Sequence, residues 1–184
     1  MKRFNAVPKW MLALAMIWAM AISGASAADR SQIQQEGRAA LNNLVAMNAG
    51  AKALNDKAVA VLVFPSITKA GFVIGGQTGD GVLLKGGKAV GYYNTSGASY
   101  GLQAGIQKYG YAMFFMNEPA LKQLNKAEGF EIGVGPSVVV ADEGFGKNVS
   151  TITYDQDIYA FIFHQRGLMA GIGIQGNKIT RLDQ

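Results

Sequence analysis

Cysteine is absent from the 184-residue sequence, and histidine occurs only once. Without cysteine the chain can form no disulfide, no thiolate nucleophile and no cysteine-ligated metal site. The fold must therefore be stabilised by its core, and a chain of this length is long enough to build one.

Clustered positive charge is also absent, although the formal net charge is +5. Three of the 17 basic residues, Lys2, Arg3 and Lys9, lie before an apolar run at residues 10–22. That run is shorter than the roughly 20 residues that span a bilayer, and the small residues 25–27 follow it. This order of basic, apolar and small residues is typical of a secretory signal peptide.

We predict cleavage after Ala27, with Ala28 as the alternative, so that residues 1–27 are the signal peptide. A retained anchor helix is the other interpretation. Residues 28–184 would then form one periplasmic or secreted domain, with peripheral attachment to a membrane as a further option. Cleavage lowers the formal charge to +2, which predicts no nucleic-acid partner.

Apolar residues recur at helical spacing over residues 31–57, which predicts an amphipathic helix with a break near Gly50. Its polar face is rich in Gln and Asn, so packing against the core is favoured over lying on a membrane. In the membrane alternative, Arg30, Arg38 and Lys52 are the basic residues that would face the lipid.

Short apolar segments separated by glycine-rich turns follow, which predicts strands. The predicted strands cover residues 59–64, 71–76, 81–84, 89–93, 99–106, 111–116, 130–135, 137–141, 150–154, 158–163 and 168–175. A short helix at residues 118–125 interrupts them, beginning at Asn117 with Pro119 in its first turn. We therefore predict an α+β fold: a mainly antiparallel, strongly curved or barrel-like β-sheet with an N-terminal amphipathic helix and a short internal helix.

The segment of residues 64–84, FPSITKAGFVIGGQTGDGVLL, places five glycines among β-forming apolar residues. Glycine allows tight turns, bulges and close backbone approach, so we predict β structure that turns sharply here. The spacing of the glycines matches neither a P-loop nor a dinucleotide-binding fingerprint.

Residues suited to catalysis are scarce in this sequence. His164 is the sole histidine, and neither a nucleophile elbow nor a cysteine accompanies it, so a structural role at a strand end is favoured. Asp155 and Asp157 lack the other ligands of a calcium loop and are interpreted as solvated loop acids. The sequence therefore predicts a protein without catalytic residues, bound metal or cofactor.

Lysines beside glycine-rich turns remain as candidates for binding. Lys69 lies between Pro65 and Gly71, while Lys85 and Lys88 flank an apparent hairpin tip. If these turns meet at one end of the sheet, three ammonium groups would face an anion such as a lipid phosphate. Solvated lysines on ordinary turns are the alternative.

The glycine-rich segment also resembles the SYLF domain, known too as the Ysc84 or Las17-binding domain. The similar residues are Phe64-Pro65, Lys69, Gly71-Phe72, Gly75-Gly76, Gly79 and 81–83, followed by 99–105, 117–121, 134–136 and 167–171. The resemblance runs from about Ser31 to Leu182 in one order and without large gaps.

This resemblance implies a non-enzymatic lipid-binding module, because members of the family bind phosphoinositides, partly through a basic amphipathic N-terminal helix. Some members also bind actin and carry an SH3 domain. The present chain is predicted to be secreted and ends at Gln184 without an SH3 domain, so we expect no actin role. Its first helix has few basic residues, and tight phosphoinositide binding is not expected of that helix.

The predicted function is binding of anionic phospholipid or phosphoinositide headgroups at the cell envelope, with Lys69, Lys85 and Lys88 as headgroup ligands. The alternative is a structural or protein-interaction module of the envelope, with an envelope protein as partner and only incidental contact with lipid.

Overall fold

The computed structural model describes residues 27–126, 128–141, 155–166, 174 and 176–182. The predicted signal peptide lies outside the described residues except for Ala27, where the first helix begins. The strand predicted at residues 150–154 also lies outside them, and so does most of the strand predicted at residues 168–175.

Two helices, α1 (Ala27–Met47) and α2 (Ala49–Asn55), replace the single broken helix predicted from the sequence. The break lies at Asn48, whose extended backbone (φ −130°, ψ 111°) cannot continue the helix. The Asn48 side chain accepts a 2.9 Å hydrogen bond from the Ala51 amide and so caps α2. The predicted break near Gly50 is confirmed and lies two residues before Gly50, which is itself buried inside α2.

One long antiparallel hairpin forms most of the sheet. Its strands are β1 (Ala60–Lys85) and β2 (Lys88–Phe115), and Gly86 and Gly87 make the turn with φ of 55° and 73°. Such positive φ values favour glycine, which explains why a tight turn forms here. The six separate strands predicted over residues 59–116 are therefore wrong in number, although the β structure itself is correct.

The glycines of residues 64–84 allow β1 to bend and fold back on itself instead of turning sharply. The register shifts between Gly71 and Val73, which marks a bulge. Beyond it, a Cβ atom on Gly79 would lie 2.6 Å from the Ser66 carbonyl oxygen, and one on Gly81 would lie 2.5 Å from Phe64 Cδ1. The predicted close approach is confirmed at these two positions, whereas the predicted tight turns within this segment are wrong.

The remaining elements extend the sheet from the free edge of β2. Strand β5 (Ile158–Arg166) pairs with the second half of β2 and β6 (Lys178–Arg181) with the first half. Strand β3 (Phe130–Glu131) pairs with β6, and β4 (Val138–Ala141) lies parallel to β5. The predicted strand at residues 130–135 is thus shorter, and β6 was not predicted.

The predicted internal helix is confirmed. Helix α3 (Glu118–Lys122) continues as a 3-10 turn at Gln123–Asn125. The Asn117 side chain accepts a 2.8 Å hydrogen bond from the Ala120 amide, and the proline lies in the first turn. The complete architecture is the predicted α+β fold, with a mostly antiparallel sheet curved into a half-barrel.

The core is divided between the two faces of this sheet. Helices α1 and α2 pack on what we call the helix-covered face, where Leu41 and Leu54 meet side chains such as Val82 and Phe114. The other side, the inner face, lies within the folded hairpin and contains Phe64, Tyr109, Tyr111 and Met113, among others. The interpretation of the first helix as core-facing is confirmed.

Candidate functional site

The hairpin turn brings two of the three predicted lysines together. Lys85 and Lys88 are register partners on either side of Gly86 and Gly87, and both are exposed. Lys85 Nζ donates a 2.7 Å hydrogen bond to Glu118 Oε1 at the start of α3. This ion pair neutralises part of the positive charge at the turn and fixes the turn against α3.

Lys69 lies elsewhere. It pairs in register with Gln107, sixteen residues before Lys85 in β1, and the alternation from buried Ile67 places it on the inner face. The fold-back brings Gly81 beside Val63 and Phe64, so Lys85 lies near the start of β1 while Lys69 lies near its bend. The three lysines therefore do not meet at one end of the sheet.

A pocket at the edge of β2 lies beside the hairpin turn and contains two arginines. It has a volume of about 260 Å³, and it is lined by Arg30, Tyr92, Arg181 and the backbone region of residues 89–91 and 182. The Arg30 guanidinium lies 5.9 Å from the centroid of the Tyr92 ring, a cation–π contact that positions the charge. Arg181 reaches the pocket from β6, because Leu182 N donates to Tyr92 O. We call this site the arginine pocket.

The other basic residues of the N-terminal helices do not join this pocket. Arg38 is exposed on α1, and Lys52 lies on α2, where its Nζ forms a 2.8 Å ion pair with Asp56. Arg30, Arg38 and Lys52 therefore belong to three separate surroundings, and only Arg30 lines the arginine pocket.

A buried polar network on the inner face was not predicted. Gln77 Nε2 donates a 2.5 Å hydrogen bond to Asn177 Oδ1, and Tyr109 Oη donates a 2.7 Å bond to Gln77 Oε1. Tyr111 Oη donates a 2.8 Å bond to Thr95 Oγ1. These bonds join the two halves of the folded hairpin.

Burial controls the acidity of the two tyrosines in this network. It raises the pKa of Tyr109 to about 12, against a smaller opposing effect of the Asn177 amide. Burial also raises the pKa of Tyr111, which is fully enclosed. Both phenols are therefore neutral hydrogen-bonding groups at physiological pH, not bases.

Asp157 joins three segments at the end of the sheet. It accepts a 2.8 Å hydrogen bond from Asn117 Nδ2, and its other carboxylate oxygen accepts from the backbone amide (3.0 Å) and hydroxyl (3.2 Å) of Ser137. The Asn117 bond, followed by the Ser137 bonds, lowers the pKa of Asp157. The interpretation of Asp157 as a merely solvated acid is therefore wrong.

His164 lies within β5 and not at a strand end as predicted. Its φ of 53° is unusual for a residue other than glycine, and the β2–β5 register shifts beside it, between Lys108 and Gly110. The ring is exposed and packs edge-on against Phe163 at a distance of 5.1 Å between centroids.

These features place two arginines around one pocket at the edge of the sheet, beside the lysines of the hairpin turn. No helix in the described part of the chain is long and apolar enough to cross a membrane.

Residues 96–184 match the family model of Ysc84, described as Las17-binding protein actin regulator. This part of the chain is similar to the Ysc84/SYLF domain, a family associated with lipid binding and generally without catalytic activity. A search of curated proteins gives no match. The matched region includes Arg181 and most of β2, whereas the resemblance seen over residues 31–95 lies outside it.

Proposed function

We propose that the protein binds anionic phospholipid headgroups, without catalysis, at the end of the sheet where the arginine pocket meets the hairpin turn. The observation that carries this proposal is the pocket itself, in which Arg30 and Arg181 arrive from different elements around one space. Guanidinium groups form paired hydrogen bonds with phosphate oxygens, and a pocket of about 260 Å³ is large enough for a phosphate.

The hairpin turn adds charge and apolar surface beside this pocket. Lys85 and Lys88 are exposed at the turn, and each basic residue near an anionic membrane contributes about 1 kcal/mol to binding. Val90, 47% exposed, lines the pocket two residues after Lys88 and can contact the acyl boundary. Lys69 lies near the bend of β1 and is not assigned to this headgroup site.

Flotation of the purified protein with liposomes tests the proposal. We expect binding to vesicles that contain phosphatidylglycerol, weak binding to pure phosphatidylcholine, and loss of binding at high salt because the contacts are electrostatic. Lys88→Glu and Arg181→Glu should each weaken binding to the anionic vesicles by roughly tenfold or more, since charge reversal replaces an attraction of about 1 kcal/mol by a repulsion.

Two matched variants serve as controls for these charge reversals. Lys108→Glu changes an exposed lysine in the second half of β2, and Lys69→Glu changes the lysine near the bend; both should bind as the wild type does. Equal and negligible binding to both kinds of vesicle would remove the proposal. If all variants still recover an envelope protein from extracts while none of them binds lipid, the protein-interaction alternative would be favoured.

We further propose, from the N-terminal sequence pattern, that the protein is exported to the periplasm or out of the cell. N-terminal sequencing of the exported protein should give Ala28 or Asp29 as the first residue. Recovery of the protein with Met1 intact would contradict export by signal-peptide cleavage. The headgroup proposal would not be affected, because liposome flotation tests it separately.

A further inference from the structure

A second pocket lies on the helix-covered face, toward the end of α1. It has a volume of about 410 Å³, within the range of pockets that hold small ligands, and it is enclosed by the last turns of α1 and the second half of β5. Leu44 in its wall follows Arg30 by fourteen residues of α1, so about 21 Å of helix separates it from the arginine pocket. We call this second site the helix-end pocket.

Most of the wall of the helix-end pocket is apolar. Leu44 and Phe163 pack on the hydrophobic cluster but are only partly buried, and Met47 is 86% exposed. Methionine is flexible and adapts its shape to an apolar ligand. No acidic side chain occurs among the described residues that line the pocket. The wall therefore suits a flexible apolar group such as an alkyl chain.

The backbone of His164 brings its ring to this wall. Phe161 and Phe163 belong to the helix-covered face and Ile162 to the inner face, so regular alternation would place the next side chain on the inner face. The left-handed φ of 53° interrupts the alternation, and the His164 ring lies edge-on to Phe163 and lines the pocket. Backbone conformations that are costly for a residue other than glycine cluster at binding sites.

The polar groups of the pocket include hydrogen-bond donors. The side-chain oxygen of Asn48 already accepts from the Ala51 amide, so the group that Asn48 offers to a ligand is its Nδ2 amide. A histidine ring carries at least one N–H group in either protonation state. A carbonyl oxygen can accept from both donors, whereas an ammonium group cannot.

We propose that the helix-end pocket binds a fatty acyl chain. The alkyl part lies against Leu44, Met47 and Phe163, and the carbonyl oxygen accepts hydrogen bonds from Asn48 Nδ2 and the His164 ring. This site does not depend on the proposed headgroup function. Free fatty acids and the acyl esters of phospholipids both present this chemistry, and the two sources are distinguished experimentally.

Isothermal titration calorimetry with sodium decanoate, below its micelle concentration, tests the proposal. We expect saturable binding at one site. The affinity should rise about fourfold with each added CH₂ group from hexanoate to decanoate, because each group is removed from water in the pocket. Absence of saturable binding, or an affinity that does not depend on chain length, would overturn the proposal.

Two neighbouring positions of α1 provide a matched pair of variants. Met47→Glu places a charge in the wall of the pocket and should weaken decanoate binding at least tenfold. Ala46→Glu introduces the same charge at an exposed position that does not line the pocket, and its affinity should stay within about twofold of the wild type, because water and salt screen exposed charges. Equal weakening in both variants would show that charge on α1, and not the pocket, controls binding.

The role of His164 is tested by His164→Gly. Glycine adopts a φ of 53° without strain, so this variant should unfold at a temperature no lower than the wild type. Its affinity for decanoate should fall roughly fivefold, because one hydrogen bond to the carbonyl oxygen is lost. Unchanged affinity would contradict the contact assigned to His164.

Two further titrations separate this site from the arginine pocket and identify the source of the chain. Arg181→Glu should bind decanoate as the wild type does, and loss of binding in this variant would assign the carboxylate to the arginine pocket and overturn the proposal. Dihexanoyl phosphatidylcholine, titrated below its micelle concentration, carries no net charge. Binding of this phospholipid would assign an acyl ester as the ligand, whereas binding of decanoate alone would assign a free fatty acid.

Discussion

The helix-covered face and the inner face of the sheet use the same two strands but are packed by different means. The buried cluster under α1 and α2 consists of aliphatic and aromatic side chains, brought close by Gly37, where a Cβ atom would collide with Val82. On the inner face, the hairpin packs against itself, and there lie all four of the buried polar residues in the described chain: Gln77, Thr95, Gln107 and Asn177. The helices therefore supply hydrophobic cover, whereas the inner face combines close backbone contact with a polar network.

The largest loss of stability is expected when the glycines that permit close packing are substituted. Gly81→Ala should destabilise the protein by about 3 kcal/mol or more, because the new Cβ atom would lie 2.6 Å from the Val63 carbonyl oxygen in rigid backbone. Gly37→Ala should cost about 1 kcal/mol, because its Cβ meets a side-chain methyl and alanine favours the helix. Urea unfolding measures both values.

Gly76→Ala is the matched control for the glycine series. Its Cβ atom would have no neighbour closer than 3.9 Å, so its stability should lie within about 0.5 kcal/mol of the wild type. Equal stability of Gly81→Ala and Gly76→Ala would contradict the close approach of the two halves of β1.

The second test compares hydrogen bonds on the two faces. Gln77→Leu leaves the buried Tyr109 hydroxyl and Asn177 oxygen without their partner and should cost about 2 kcal/mol or more. Tyr92→Phe removes a 3.2 Å bond to Gln34 on the helix-covered side, at a part-exposed position, and should cost about 0.5 kcal/mol. Thermal unfolding measures both losses of stability. Similar losses in the two variants would mean that the inner network contributes no more to stability than an exposed hydrogen bond does.

The third test concerns the end of the sheet, where Asp157 joins both β5 and the preceding strand to α3. Its pKa is lowered below the ordinary value of 3.8, so its carboxylate stabilises the fold above that pH and loses this effect as the pH falls through the folded pKa. Asp157→Asn should therefore unfold at a lower temperature than the wild type at pH 7. The difference should shrink below about pH 3.8, and a difference that stays constant down to pH 2 would rule out this linkage.

The smallest effect is expected on the outer surface of the helices. Lys52 and Asp56 form an exposed ion pair four residues apart, and such pairs contribute about 0.3–0.5 kcal/mol. Lys52→Ala should lower the free energy of unfolding by no more than this amount in low salt and by less in 1 M salt. A loss above about 1 kcal/mol would show that α2 contributes more than hydrophobic cover.

The elements that sequence reasoning located well have local signals. Asn117 and Pro119 mark the start of α3 through a side-chain cap and a fixed φ, which need no information from the rest of the chain. The length of β1, in contrast, depends on contacts with distant parts of the chain. Gly79 and Gly81 look like turn residues, but their role depends on which distant backbone approaches them, and the spacing of residues in the sequence does not reveal that contact.

The inner polar network was missed for a related reason. A glutamine in an alternating strand pattern is ordinarily assigned to solvent. One signal was present: Gln107, Tyr109, Tyr111 and Met113 occupy every second position, so a buried tyrosine face also buries the glutamine. The arginine pocket was missed because Arg30 and Arg181 lie at opposite ends of the domain sequence. They line one pocket only once α1 brings Arg30 over Tyr92 and β6 pairs with β2.

The single turn at Gly86 and Gly87 sets the order in which the hairpin can assemble. Its pairs are separated by three residues at Lys85 and Lys88 but by fifty-five at Ala60 and Phe115. The entropic cost of closing a loop grows with the number of residues between its ends. Pairing that starts at the turn and proceeds outward keeps this cost low, because each new pair forms next to one that is already made. Replacing both glycines with β-branched residues should therefore slow refolding more than it accelerates unfolding, so that two small residues at the surface determine how fast the whole sheet is built.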